Sequence, residues 1–178
     1  MSGLWGPVEV ALAKATETIP APTALPGRTR YEMKWDGFRI AVVRTEDHTA
    51  LWSRQGSRLD NQFPDLLAAA DDQLPPGVVL DGEGVIWSAD RLDFSALLSR
   101  MSSSATSARR LASQQPASFV AFDVLAVAGH DVRDQSFAQR RALLEELAQS
   151  MRPPLQTEPG LADHPARGLD GVGHRISP

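Results

Sequence analysis

Three short β-prone runs follow one another between residues 31 and 54, and they constrain the fold of this chain more than any other feature. The runs cover residues 31–35, 38–44 and 50–54. Turn-forming sequences separate them, first Asp36-Gly37 and then residues 45–48. Short connections of this kind are typical of neighbouring strands that run antiparallel. The sequence therefore predicts an antiparallel meander at this point of the chain.

Helix signals and strand signals are mixed in the rest of the chain, which predicts the α+β class. The proline-rich residues 1–28 are expected to form an extended arm that wraps rather than packs, with at most a short helix near residues 8–15. A domain is predicted over residues 29–150, and an irregular tail without periodicity over residues 151–178. After the meander, a helix is predicted to begin at Pro64 and to end before residues 75–77, and a strand follows over 78–87. The next predicted elements are a helix over 94–100, a mobile surface loop over 102–107, a short helix over 109–114 and a strand over 118–127. A capping box at Ser136 and Gln139 predicts a last helix that extends to about residue 149.

Composition narrows the class of protein. With 178 residues, of which 42% are hydrophobic and 22% charged, the chain can bury one core. It has no cysteine, which excludes disulfides and thiolate metal sites and fits a reducing compartment. Neither a signal-peptide pattern nor an apolar stretch of membrane-spanning length is visible, so we expect a soluble cytoplasmic protein that does not contact a membrane.

Positive charge is concentrated in one part of the chain although the net charge is −4. Between residues 28 and 58, seven basic residues accompany four acidic ones. This segment is either a local phosphate-binding patch or an ordinary solvated face, and charge alone does not separate the two.

Lysine is nearly absent, since Lys14 and Lys34 are the only lysines among 18 basic residues. Strand alternation puts Glu32, Lys34 and Asp36 on one face. An amine beside carboxylates and a glycine suits attack on a phosphate. The alternative is a half-solvated strand whose charges pair with one another. A second carboxylate-glycine-carboxylate sequence at residues 80–83 favours convergence on one ligand.

Four motifs occur in order: KWDGFR at 34–39, SRQG at 53–56, LDGE at 80–83 and FVAFDVL at 119–125. Together they resemble the motifs of ATP-dependent DNA ligases of the bacterial type, one branch of the covalent nucleotidyltransferases that also include RNA ligases and mRNA capping enzymes. The QRR sequence at residues 139–141 resembles the ERR-like helix start of the bacterial ligases. The resemblance implies a mostly antiparallel, two-sheet, ATP-grasp-like nucleotidyltransferase core with helices on its outer faces.

The resemblance also implies a reaction. Lys34 would attack the α-phosphate of ATP, form a lysyl-AMP phosphoramidate and release pyrophosphate, and the AMP would pass to the 5′-phosphate of a DNA nick. Mg²⁺ is implied as well, although no ligand cluster for it is visible. No P-loop sequence is present. The implied roles are Glu32 on the adenine amino group, Lys34 as nucleophile, Arg39 on the ribose and phosphate region, Arg54 on phosphate and the nick 5′-phosphate, Glu83 on the ribose hydroxyl, and Phe122 stacked on adenine, with Asp36 and Asp81 in support.

Simpler roles stay open for the same residues. Lys34 could be a salt-bridged strand lysine, Glu32 could pair with Arg30, and the arginines could be ordinary surface residues. Phe122 could be a core aromatic, and Asp81 could stabilise a turn.

Parts of the family pattern are missing from this sequence. It contains no E-G-x-x-x-K motif, no K-x-K strand and no oligonucleotide-binding barrel, and no lysine follows Lys34. We therefore expect an adenylation domain truncated before its last motifs, with a second polypeptide or domain supplying them and nicked double-stranded DNA as partner at the nucleoid. The alternatives are a non-catalytic remnant that binds nucleotide or DNA weakly, and an RNA ligase or capping-type enzyme.

Overall fold

A computed structural model describes residues 4–8, 10, 31–33, 35–89, 91–157 and 174–176, with the backbone alone for 31–33 and 174–176. The chain divides into two compact units, Met1–Val10 with Asp36–Thr157, and Ala11–Trp35 with Glu158–Pro178. In the described residues the elements are β1 (Tyr31–Met33), β2 (Phe38–Arg44), β3 (Thr49–Ser53), α1 (Pro64–Gln73), β4 (Val78–Ser88), β5 (Arg91–Leu92), α2 (Phe94–Met101), α3 (Ala105–Gln114), β6 (Ala117–Val127), β7 (His130–Asp131), α4 (Phe137–Ala148), β8 (Leu155–Thr157) and β9 (His174–Ile176).

The first unit is built on a seven-stranded sheet in the order β3-β2-β4-β6-β7, with β5 paired to β4 and β8 paired to β6. Every pairing in it is antiparallel except that of β6 with β8. The predicted α+β class and the predicted β2–β3 hairpin are therefore confirmed. The strands over 78–88 and 117–127 also match their predictions closely.

The second unit contains a two-stranded antiparallel sheet of β1 and β9, in which Glu32 is opposite Arg175. The predicted meander is thus wrong for its first run, because β1 pairs with β9 and not with β2. The Asp36-Gly37 sequence forms a bend and not a hairpin turn. A strand partner more than 140 residues away leaves no local signal, and residues 174–176 show no strand pattern.

Helices cover one face of the seven-stranded sheet. Buried leucines of α1, α2 and α4, namely Leu66, Leu97 and Leu144, share a hydrophobic cluster with Ile40 and Val42 of β2. In α2, however, Phe94 and Leu98 remain 47% and 48% exposed, so only part of its predicted apolar side is buried. None of the helices in the described ranges combines the length and the apolar character that a membrane span requires.

The opposite face is covered in part by the chain start. Val8 and Val10 are 3% and 8% exposed and cluster with Ala41, Val43 and Val79. The expectation that the arm would not pack is wrong here, because Val8 and Val10 bury against apolar side chains of this face. The short helix predicted near residues 8–15 lies largely outside the described residues.

Two further differences concern loops. The predicted mobile loop over 102–107 is wrong, since α3 already begins at Ala105, where the Ser104 side chain accepts a hydrogen bond from the Ser107 backbone at 3.3 Å. The predicted irregular tail includes strand β8, which pairs with β6 through long-range contacts that local sequence does not reveal. The capping box of α4, in contrast, is present as predicted.

Candidate functional site

A buried ion pair joins the first and third motifs on one face of the central sheet. In the β2–β4 register Arg39 is opposite Glu83, and Ala41 is opposite Asp81. Paired positions on neighbouring strands project to the same face. Nε of Arg39 donates to Oδ1 of Asp81 at 2.5 Å and Nη2 donates to Oδ2, and the two side chains are only 13% and 3% exposed. Asp81 therefore holds the guanidinium by a two-pronged contact inside β4, and the turn-stabilising role is wrong for it.

Phe122 brings the fourth motif to the same ion pair. It lies at a β-bulge in β6, its side chain is 5% exposed, and its ring centroid is 4.8 Å from Cζ of Arg39. A guanidinium over an aromatic face is a favourable cation–π arrangement. The residue is therefore buried, as the core alternative expected, but it packs against a cation of another motif.

Gly37 allows the first motif to pass close to Glu83. A Cβ atom at Gly37 would lie 2.7 Å from the carbonyl oxygen of Gly84 and 2.9 Å from Cγ1 of Val85. It would also lie 3.2 Å from Oε2 of Glu83, whose side chain is 8% exposed. Since real side chains do not tolerate the first two distances, this close approach accounts for the glycine of KWDGFR.

The second motif forms a tight turn after β3 that presents Arg54. The backbone N–H of Ser53 donates to the Ser57 carbonyl at 2.8 Å, and that of Gly56 donates to the Ser53 carbonyl at 2.9 Å. Gly56 has φ +80°, a conformation that favours glycine. Arg54 is exposed and makes no ion pair with any residue that the structure describes. The structure thus separates Arg54, at the surface, from the buried Arg39.

Lys34 and Glu32 are described less fully than the other predicted site residues, and Asp36 lies apart from the buried group. Lys34 lies outside the described residues. Glu32 is described as part of the β1 backbone, without its side chain, and Asp36 is exposed at the bend that precedes β2. Their implied roles stay predictions.

The buried group has the chemistry that recognition of a nucleoside needs. Phe122 offers an aromatic ring for a base, and Arg39 and Glu83 offer a donor and an acceptor suited to ribose hydroxyls. For a metal ion, by contrast, no group of three or more His, Cys, Asp or Glu side chains occurs within the described ranges. We therefore assign no ligands to Mg²⁺.

The sequence does not predict one ion pair that lies next to Phe122. Arg140 of α4 donates from Nε and Nη2 to the two carboxylate oxygens of Asp123, both at 2.9 Å. This hydrogen bonding raises the pKa of Arg140 above its ordinary value, although burial acts against it. An aspartate within the apolar FVAFDVL strand and an arginine in QRR were visible signals, but a 17-residue separation hides their pairing.

Comparison with known proteins gives one family and several relatives. The family model described as "ATP dependent DNA ligase domain" matches residues 11–161. DNA ligase C2 of Mycolicibacterium smegmatis is 38% identical over 176 residues, which cover 93% of this chain and 48% of that protein. DNA ligase C of Mycobacterium tuberculosis is 41% identical over 138 residues, which cover 78% of this chain and 37% of that protein. The chain therefore spans half or less of the length of these curated relatives.

Solved structures agree with the sequence matches. A structure titled "mycobacterial DNA ligase D complexed with ATP and MES" has a TM-score of 0.65 and 27% identity, over 84% of this chain and 50% of that one. The ligase domain of M. tuberculosis LigD has a TM-score of 0.61 and 29% identity, over 75% of this chain and 40% of that one. The mixed fold of helices and antiparallel sheet is shared with these ligase structures.

Proposed function

The chain belongs to the ATP-dependent DNA ligase domain family, and from this premise we propose that it carries the adenylation part of a DNA ligase. The observation that carries the proposal is the convergence of Arg39, Asp81, Glu83 and Phe122, from three motifs, on one sheet face. The relatives named above are DNA ligases, so the RNA ligase, capping and non-catalytic alternatives are not favoured.

In the proposed first step, Lys34 is the nucleophile. Its uncharged Nζ attacks the α-phosphorus of ATP, a P–N bond forms, and the bond to the bridging oxygen breaks as pyrophosphate leaves with the electron pair. An ammonium has no lone pair, so Nζ must lose one proton to solvent before attack, and it releases a second proton as the P–N bond forms. Neighbouring positive charge favours the uncharged amine. Mg²⁺ would neutralise charge on the phosphates.

The described cluster supports the binding of adenosine. Phe122 would stack on the base, Arg39 would contact the ribose and phosphate region, and Glu83 would accept a hydrogen bond from a ribose hydroxyl, with Asp81 holding Arg39 in place. Glu32 would accept from the adenine amino group, and Asp36 would support the site.

Arg54 is proposed to bind phosphate of nicked double-stranded DNA. Its exposure on a hydrogen-bonded turn supports this role, because the guanidinium can reach a ligand without breaking an ion pair with another described residue. Sealing of the nick is proposed for this domain together with a second domain or polypeptide that supplies the remaining motifs. The protein would then act at the cytoplasmic nucleoid, where its DNA substrate lies.

Labelling with α-labelled ATP and Mg²⁺ tests the nucleophile. We expect the wild-type chain to retain the label covalently and Lys34→Ala to lose it. Lys14→Ala is the matched control, because Lys14 is the only other lysine in the chain. Retention of label in Lys34→Ala, or an unlabelled wild-type protein at high concentration, would refute the proposal.

Binding of nicked DNA, measured at several salt concentrations, tests Arg54. Arg54→Ala is expected to weaken DNA binding and to lower the salt dependence, as the slope of log K against log salt, by about 1. Arg109→Ala, which removes an exposed arginine of α3, should leave both quantities unchanged. Equal effects of the two variants would contradict a specific role for Arg54.

A further inference from the structure

We propose that Asp123 and Arg140 are positioning residues for Phe122, and that through it they set the affinity of the chain for ATP. The inference rests on the proposed function, because it requires Phe122 to contact the bound nucleotide. It concerns the irregular part of β6 and the helix that braces it.

Phe122 is the extra residue of a β-bulge. In the pairing of β4 with β6, Asp81 is opposite Asp123, whereas Gly82 is opposite Ala121, so the register places no residue of β4 opposite Phe122. Bulges of this type disrupt the ladder locally and re-aim a side chain. The direction of the Phe122 ring therefore depends on what holds the bulge in its shape.

Among the strands that the structure describes, none pairs with the outer edge of β6 at the bulge itself. On that edge β8 pairs with residues 119–121, and β7 pairs with residues 126 and 127. The bulge lies between these two paired segments. Side-chain contacts can therefore contribute to holding the bulge in one conformation.

Asp123 supplies those contacts within the bulge. Its Oδ1 accepts from the backbone N–H of Val124 at 2.9 Å, and both of its oxygens accept from Arg140, each at 2.9 Å. The side chains of Asp123 and Arg140 are 18% and 16% exposed, so water screens this two-pronged contact only partly.

Arg140 in turn is fixed to a rigid element. Its Nη1 donates to the carbonyl oxygen of Gln135 at 2.7 Å, just before α4 begins. The helix starts with a capping box and buries Leu144 completely in the core. The bulge is thus tied to a packed helix, and the ring of Phe122 on its other side meets Arg39 at 4.8 Å.

Loss of the Asp123–Arg140 contact should leave the Phe122 ring less firmly positioned. It should weaken ATP binding more than it slows formation of the lysyl-AMP, because neither Asp123 nor Arg140 is proposed to contact the reacting atoms. Stacking of a base on an aromatic ring contributes about fivefold to a hundredfold in affinity. For Asp123→Asn we expect a rise of about fivefold in the ATP concentration that gives half-maximal labelling rate, the lower end of that range. The maximal labelling rate should change less.

The experiment measures single-turnover labelling of the full chain over a range of ATP concentrations, with thermal unfolding of every variant recorded alongside. Arg140→Lys keeps the positive charge but cannot donate to both oxygens of Asp123 at once, so it should also raise the ATP concentration of half-maximal labelling. Asp131→Asn is the matched control, since it removes a carboxylate that Arg133 also contacts with two nitrogens but that is not part of the bulge.

A double-mutant cycle with Phe122→Leu separates positioning from a general structural effect. If Asp123 acts through Phe122, Asp123→Asn should change half-saturation less than about twofold in the Phe122→Leu background. Additive effects of the two substitutions would overturn the inference, and so would a rise in half-saturation in the Asp131→Asn control as large as that in Asp123→Asn. In either case, labelling of the wild-type chain would leave the proposed function intact. A wild-type chain that is never labelled would overturn both.

Discussion

Asp65→Ala is expected to cost the first unit a large part of its stability, because it leaves a buried arginine without its counter-charge. Both oxygens of Asp65 accept from Nη1 of Arg100, at 3.0 and 2.9 Å, and one also accepts from the backbone N–H of Ala117 at 2.7 Å. The side chain of Arg100 is 1% exposed. The carboxylate therefore joins α1, α2 and the start of β6.

The magnitude follows from this burial. Removing one partner of a buried ion pair costs about 3–5 kcal/mol, because the remaining charge stays buried without its counter-charge. Among the contacts that the structure describes, Arg100 would keep only the hydrogen bond from Nη2 to the carbonyl oxygen of Gln115 and its contact with the Phe63 ring. For a domain of this size that loss corresponds to a decrease of about 6–20 °C in the midpoint of thermal unfolding. Urea unfolding followed by circular dichroism measures the free energy directly.

Asp72→Ala is the matched control on the same helix. Asp72 pairs with Arg152 at 2.5 Å, but the two side chains are 63% and 64% exposed, so its loss should cost about 0–1 kcal/mol. The double variant Asp65→Leu with Arg100→Met should recover much of the lost stability, since neither charge then remains buried. A cost for Asp65→Ala as small as that of Asp72→Ala, or no recovery in the double variant, would refute the reasoning.

Three further outcomes are expected from urea unfolding of single variants. Gly82→Ala should cost about 3 kcal/mol, because its Cβ would lie 2.4 Å from a backbone carbonyl oxygen of β6. Gly84→Ala should cost about 1 kcal/mol, because its Cβ would lie 2.6 Å from the terminal methyl of Ile40, and a side chain can shift more easily than backbone; similar costs would contradict this. Ser136→Ala should cost about 1 kcal/mol by removing the capping box of α4, and an unchanged midpoint would argue against that role. The pKa of Asp131 lies below its ordinary value of 3.8, chiefly because its side chain accepts a hydrogen bond from Arg133. The contact therefore stabilises the folded state at pH values above 3.8, and this stabilisation is lost as the pH falls through the lowered pKa. Asp131→Asn should therefore cost at most about a few tenths of a kcal/mol near neutral pH and nothing in strong acid, and a cost that grows on acidification would be the wrong sign.

Local signals predicted the elements that depend on neighbours in the sequence. The α4 capping box needs only Ser136 and Gln139, and the β2–β3 hairpin needs only two β-prone runs and a four-residue turn. The start of α3 was missed although its cap is also local, because a run of serines reads equally well as a loop and as an N-cap. Pairing of β1 with β9 and of β6 with β8 was missed because strand partners far apart in sequence leave no periodic trace.

For the candidate site, the sequence by itself predicted the site residues and the family, and the family is confirmed, whereas the roles of the residues stay predictions. The four motifs, through their resemblance to those of DNA ligases, pointed to Arg39, Asp81, Glu83 and Phe122. Only the tertiary structure decided that Arg39 is bound by Asp81, 42 residues away, and that a bulge braced from α4 carries Phe122. The physical reason is that residue type is a local property, whereas strand register, bulge position and buried charge pairing are settled only when distant segments pack together.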